Sequence, residues 1–190
     1  MAVGGGGMGY KPSMRVSDLD LIFIPETGPV SPEHWIARWS AKLSTARLVA
    51  ALDPVATASG VIAAAQLAQR PTLLIGHSTG AIAAALAADA LGEADVRGAF
   101  LVAPPADDAL ATLDGGLWPE IPRARLPWPS VLVASRTDPL SSHRQSLALA
   151  SDWGADFTDA GDSGRIDADS GHGPWPDGLL KLGAFLKKLG

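Results

Sequence analysis

The sequence predicts an α/β protein, a three-layer sandwich of about six mostly parallel strands with helices on both faces. Two observations predict it. From Asp18 onward, short apolar runs alternate with longer helical patterns, the rhythm of strand–helix–strand units around a parallel sheet. Four of those runs are apolar almost without interruption, which marks strands covered on both faces.

Taken in chain order, the first such run is 19–24 (LDLIFI), then 72–76 (TLLIG), 98–103 (GAFLVA) and 130–134 (SVLVA). Residues 47–52 and 155–158 are less apolar strand candidates. A helix is expected over 32–43, with Ser31 as N-cap and Pro32 at the first helical position. Residues 56–69 and 79–91 are rich in alanine, the best helix former, and 142–153 and 177–189 complete the helical set. The stretch 104–129 carries six prolines, two glycines and two tryptophans, so it reads as a short helix and a long irregular loop.

At 190 residues the chain has room for one domain with a substantial core, expected over 14–190. Residues 1–13 (MAVGGGGMGYKPS) read as a flexible leader or a remnant of expression, with native translation starting at Met14. The chain is 47% hydrophobic, which excludes disorder. A net charge of −5 without a basic cluster gives no footprint for nucleic acid or an anionic membrane. No apolar run nears the ~20 residues that cross a bilayer. The chain has no cysteine, which removes disulfides, thiolate metal sites and a cysteine nucleophile, and favours a cytoplasmic location.

The sharpest local signal is Gly76-His77-Ser78-Thr79-Gly80, a match to G-x-S-x-G. It stands between an apolar strand and an alanine-rich helix, where a tight turn would present the Ser78 hydroxyl above the sheet. The helix N-terminus would then face a developing oxyanion. His77, inside the turn, would point elsewhere and serve structure rather than act as a base. In this kind of site the order runs serine, acid, histidine. Asp138, in the Ser135-Arg136-Thr137-Asp138-Pro139 loop after a buried strand, is the acid candidate. A histidine is then expected after the last strand, and His172 in DSGHGPWP is the one there. His34 lies near the first loop, and His143 begins the helix just after Asp138.

His34-Trp35, the GHSTG turn, VAPP at 102–105, SRTDP at 135–139 and DSGRIDADSGHGPWPDG at 162–178 together resemble one family. It is the group of small serine hydrolases that includes retinoblastoma-binding protein 9 and the bacterial YdeN-like proteins. The resemblance implies a compact α/β-hydrolase fold, a Ser-Asp-His triad, cleavage of small esters (or amides) through an acyl-serine intermediate, and no cofactor or metal. It places the nucleophile at Ser78 and the acid at Asp138. The family histidine, in a Gly-His-Ile-Asn pattern, falls on Arg165 of Gly164-Arg165-Ile166-Asp167. An arginine stays protonated and cannot accept the serine proton.

That exchange leaves three expectations open. His172 replaces the missing base; the old pocket serves only to bind a ligand or partner; or Arg165 pairs with Asp138 and holds an anion. The oxyanion loop departs as well, with Pro25-Glu26-Thr27-Gly28 where the family has Pro-Gly. The expected oxyanion donors are the Thr79 amide and an amide from Thr27 or Glu26.

Six tryptophans against one tyrosine is a skewed set. Trp118, in the irregular segment, could line an acyl pocket or simply anchor the loop. The aspartates at 156, 159, 162, 167 and 169 lack EF-hand spacing and read as a solvated loop. The lysines at 181, 187 and 188 fit the wet face of the last helix.

Overall fold

The computed structural model describes residues 14–190, so the leader expected over 1–13 lies outside the described residues. Six strands form one sheet in the order β2-β1-β3-β4-β5-β6. They are β1 (Asp20–Ile24), β2 (Ala46–Leu48), β3 (Thr72–His77), β4 (Val96–Val102), β5 (Ser130–Ala134) and β6 (Asp156–Asp159). Every pairing is parallel. The helices are α1 (Trp35–Lys42), α2 (Pro54–Gln66), α3 (Thr79–Leu86), α4 (Asp107–Leu110), α5 (His143–Trp153) and α6 (Pro176–Leu189). None of them is long and apolar enough to cross a membrane.

Side-chain alternation divides the core in two. Ile22, Ile24, Leu74, Leu101 and Leu132 point to a layer that α2, α3 and α5 close with Val61, Ile82 and Trp153. Leu21, Phe23, Ile75, Phe100 and Val133 point to the opposite layer, closed by Trp35 and Trp39 of α1 and Leu182 and Phe185 of α6. The central strands β1, β3 and β5 are buried along their whole length, and β2 and β6 at the sheet edges are not. That contrast explains why the two edge strands carried the poorer sequence signal.

Several boundaries differ from expectation because capping side chains decide them. The first helix starts at Trp35, not Pro32, since the His34 imidazole accepts the Ile36 N–H at 3.1 Å. The second starts at Pro54, capped by Asp53 accepting from the Ala56 N–H. Ser142 and Gln145 form a capping box on α5. The helix expected over 79–91 stops at Leu86 and continues as a separate 3-10 turn over Asp89–Leu91. Trp118 is buried, donates to Asp114 at 2.8 Å and packs into the α2/α3/α5 layer, so it anchors its loop.

Candidate active site

Ser78 sits between β3 and α3 at φ 53° and ψ −124°, a conformation costly for any residue with a side chain. The surroundings hold it there. Its N–H donates to the Val102 carbonyl at 2.9 Å, and its carbonyl accepts from Ala81. The flanking glycines permit the bend by close approach. A Cβ on Gly80 would stand 2.0 Å from the Ile24 carbonyl oxygen, and one on Gly76 would stand 2.7 Å from the Ala81 Cα. The helix therefore passes against the end of β1 with no side chain between, which brings the loop after β1 to the serine.

The hydroxyl does not stand open. Ser78 is only 2% exposed, contrary to the expectation of a free hydroxyl above the sheet. The cover is Arg165, whose Nη2 donates to Ser78 Oγ at 3.3 Å. The same nitrogen is ion-paired with Glu26, and Nη1 lies 3.5 Å from Asp167. The two positions that depart from the family pattern thus meet directly over the serine. Arg165 does not pair with Asp138, so the third expectation is corrected: two nearer carboxylates already engage the guanidinium.

The backbone at 165–166 is pinned from below. The His77 imidazole contacts the Arg165 carbonyl at 3.0 Å, and a carbonyl only accepts, so Nε2 carries the proton. The Trp35 indole donates to the next carbonyl, that of Ile166, at 2.8 Å. Ile166 is fully buried at φ 54°. From the side, Ser135 Oγ accepts the Ser163 N–H at 2.9 Å and Thr137 Oγ1 accepts the Gly164 N–H at 3.0 Å. These bonds join the loop after β5 to the loop after β6. The sequence marks Trp35, Ser135 and Thr137 only as parts of family motifs, because their roles rest on contacts across distant loops.

Asp138 lies in the loop after β5, half-buried, with Oδ1 accepting the Leu140 N–H at 2.8 Å. Burial is the main reason its carboxyl is pushed up to about 6, although the Leu140 bond and the charge of Arg165 work the other way. His172 is elsewhere. Its Nδ1 lies 3.3 Å from Ser170 Oγ, its N–H donates to the Asp167 carbonyl at 2.8 Å, and its ring meets Trp175 edge-on. Among the described residues no imidazole hydrogen-bonds to Ser78 or Asp138. The substitute-base expectation for His172 is therefore not met by this geometry. The loop that carries His172 is held by Trp175 stacking on Trp39 and by the Trp39 indole on the Pro174 carbonyl.

The oxyanion loop also changes role. The Thr27 N–H donates to Thr79 Oγ1 at 3.0 Å, and the two hydroxyls lie 3.2 Å apart. The Thr27 amide is thus spent on the elbow and is not free for an oxyanion, which corrects that assignment. Thr79 stands at the first helical position of α3, where an N–H has no intrahelical acceptor.

Beside Arg165 lies a cavity of about 200 Å³ whose walls include Pro25, Glu26, His34, His77 and Asp167. Burial holds His34 and His77 down to about 4, so both are neutral at pH 7. His34 accepts on Nδ1 and so carries its proton on Nε2, while His77 leaves Nδ1 bare. The ring centroids lie 4.6 Å apart, edge to face, and among the described residues neither His34 Nε2 nor His77 Nδ1 completes a hydrogen bond. For Asp167, burial would raise the carboxyl, but bonds from Ser170 and the charge of Arg165 outweigh it and hold it below the usual range.

With this geometry in place, comparison defines the class. The serine hydrolase family model matches residues 21–184, and the chain belongs to that family. A YdeN-like hydrolase from Pectobacterium atrosepticum superposes with a TM-score of 0.80 at 28% identity, over 92% of this chain and 94% of that one. The ydeN gene product of B. subtilis superposes with a TM-score of 0.68 at 18% identity, over 87% and 98%. The esterase domain of a Rhodothermus marinus protein gives 0.63 at 18% identity, over 92% and 89%. These likenesses agree with the compact α/β-hydrolase fold. No curated protein matches the chain.

Proposed function

We propose that the protein binds a small ester or amide in the cavity beside Arg165 and turns it over at Ser78 at no more than a residual rate, because Arg165 covers the hydroxyl and stands in place of the general base. The observation that carries this reading is the Arg165 Nη2 donation to Ser78 Oγ. A hydroxyl attacks a carbonyl only as its proton leaves, and a guanidinium has no lone pair to receive it. The state of Asp138 supports the same reading. Its Oδ1 accepts the Leu140 N–H, and among the described residues no imidazole hydrogen-bonds to it, so nothing here is oriented as a base.

What the site keeps is the strained elbow and the α3 N-terminus with the Thr79 amide. These groups can polarise and hold a carbonyl, and sites stripped of a triad member still catalyse weakly through them. The role needs no cofactor, and the cysteine-free composition favours the cytoplasm.

The test is fluorophosphonate labelling followed by p-nitrophenyl acetate turnover in the wild type, Ser78→Ala, His172→Ala and Arg165→His. We expect slow wild-type turnover that His172→Ala leaves unchanged, and a gain of about 10²- to 10⁴-fold in kcat/KM for Arg165→His, the range of general-base catalysis. Fast wild-type turnover abolished by both Ser78→Ala and His172→Ala would overturn the reading, and so would an Arg165→His variant that folds and gains nothing.

A further inference from the structure

Arg165 stands between the Ser78 hydroxyl and the cavity. It is part of the cavity wall, whereas Ser78, which it covers, is not. The loop that carries it is pinned by the bonds to His77, Trp35, Ser135 and Thr137, so the freedom at this position lies in the side chain. Two carboxylates from different loops compete for that side chain. Glu26, on the loop after β1, is paired with Nη2, the same nitrogen that donates to Ser78 Oγ. Asp167, on the loop after β6, faces Nη1 at 3.5 Å and is held in place by Ser170, whose N–H and hydroxyl both donate to Oδ1. Asp169, in the same cavity wall, has no ion-pair partner among the described residues.

We infer that Glu26 is a positioning residue: it holds the Arg165 guanidinium shut on Ser78, and without it the guanidinium folds back onto Asp167 and opens the serine to the cavity. The inference rests on the proposed reading of Arg165 as the cover of Ser78. The geometry gives the two carboxylates opposite effects. Attraction of Nη2 to Glu26 keeps the group over the hydroxyl, and attraction of Nη1 to Asp167 draws it toward the loop after β6. The closing contact is also the more exposed one. The Glu26 side chain is 34% exposed and that of Asp167 10%, so dissolved salt screens the contact that shuts the gate more than the one that opens it. The cavity and the nucleophile are therefore joined only in the open position, and the Glu26 contact sets how often that position is reached.

The chain has no cysteine, so Ser78→Cys puts a single thiol under the cover, and its alkylation by iodoacetamide reads access without any turnover. Rates are compared on the high-pH plateau, where the thiol is fully ionised in every variant. On this background Arg165→Ala should raise the rate most, and Glu26→Gln by about three- to fivefold, as loss of one partly exposed ion pair predicts. Asp167→Asn should leave the rate unchanged or lower it. Adding Glu26→Gln to Arg165→Ala should gain less than about twofold more, because Glu26 acts only through the arginine. High salt should speed the Ser78→Cys chain and leave its Arg165→Ala variant as it was. Fluorophosphonate labelling of Ser78 itself should follow the same order. Equal gains from Glu26→Gln and Asp167→Asn, no gain from Glu26→Gln where Arg165→Ala gains, or a Glu26→Gln gain that persists without the arginine would overturn the inference. So would an Arg165→Ala rate no higher than that of Ser78→Cys alone, since Arg165 would then not be the cover. Fast His172-dependent turnover by the wild type would instead overturn the proposed function, with the thiol rates still deciding the gate.

Discussion

Replacing His77 by glutamine should remove a large part of the protein's acid sensitivity. His77 is fully buried, and burial lowers it from 6.5 to about 4. A histidine depressed by folding binds its proton more readily in the unfolded chain. Its contribution to stability is therefore complete above pH 6.5, falls as the pH drops, and levels off below about 4. The difference of the two values corresponds to about 3 kcal/mol for this one proton. The structural cause is plain: His77 is fully buried, and a second proton on Nδ1 would find no hydrogen-bond acceptor among the described residues. Glutamine keeps an N–H for the Arg165 carbonyl and does not titrate. Urea unfolding followed by tryptophan fluorescence, run at pH 7, 6, 5 and 4, should show wild type losing about 3 kcal/mol more than His77→Gln. His34 and Asp138 titrate in both proteins and largely cancel in the difference. Parallel pH profiles for the two proteins would refute the argument that burial holds His77 neutral beneath the elbow.

Two further predictions follow from the same geometry. Gly80→Ala should destabilise the protein by at least about 3 kcal/mol in urea unfolding, because its Cβ would overlap the Ile24 carbonyl oxygen and backbone must move to admit it; a loss under about 1 kcal/mol would show that β1 and α3 can separate freely. Asp138→Asn should act with the opposite pH sign to His77→Gln. A carboxyl raised by folding from 3.8 to about 6 favours the native state below its unfolded value and loses that advantage as the pH rises through 6. After discounting for its partial exposure, the variant should gain about 1–2 kcal/mol relative to wild type between pH 4 and pH 8. An unchanged difference across that range would mean that Asp138 is not desolvated.

Most of the scaffold was legible because the central strands and the alanine-rich helices are determined locally. A run such as LLI at 73–75 is apolar whichever neighbour covers it, and G-x-S-x-G announces a bend through its glycines alone. The caps were harder. His34 caps α1 through an imidazole, a residue outside the usual N-cap set, so the local sequence favours Ser31 instead. The centre was legible in its residues and illegible in its contacts. Glu26 and Arg165 are 139 positions apart, and nothing in either local pattern says that they meet. The same holds for Trp35, whose indole reaches Ile166 across 131 positions. His172 looked like a base by chain order, but order cannot tell which turn of a glycine-rich loop faces the serine. The structure turns it toward Ser170 and Trp175.

The contact between Glu26 and Arg165 makes the two departures from the family pattern one change in physical terms. A glutamate alone in the oxyanion loop would set a carboxylate where negative charge is meant to build up. An arginine alone over Ser78 would leave a half-buried cation with Asp167 as its one close partner. Together they neutralise each other and close the space above the hydroxyl. Each residue thus removes the penalty of the other, and reversing only one exposes that penalty again. A histidine restored at 165 would find Asp138 within the neighbouring loop, yet the carboxylate of Glu26 would remain beside the developing oxyanion and oppose it. The rate recovered by the single exchange is therefore bounded below what the elbow can support, and removing the carboxylate at 26 in the same chain lifts that bound.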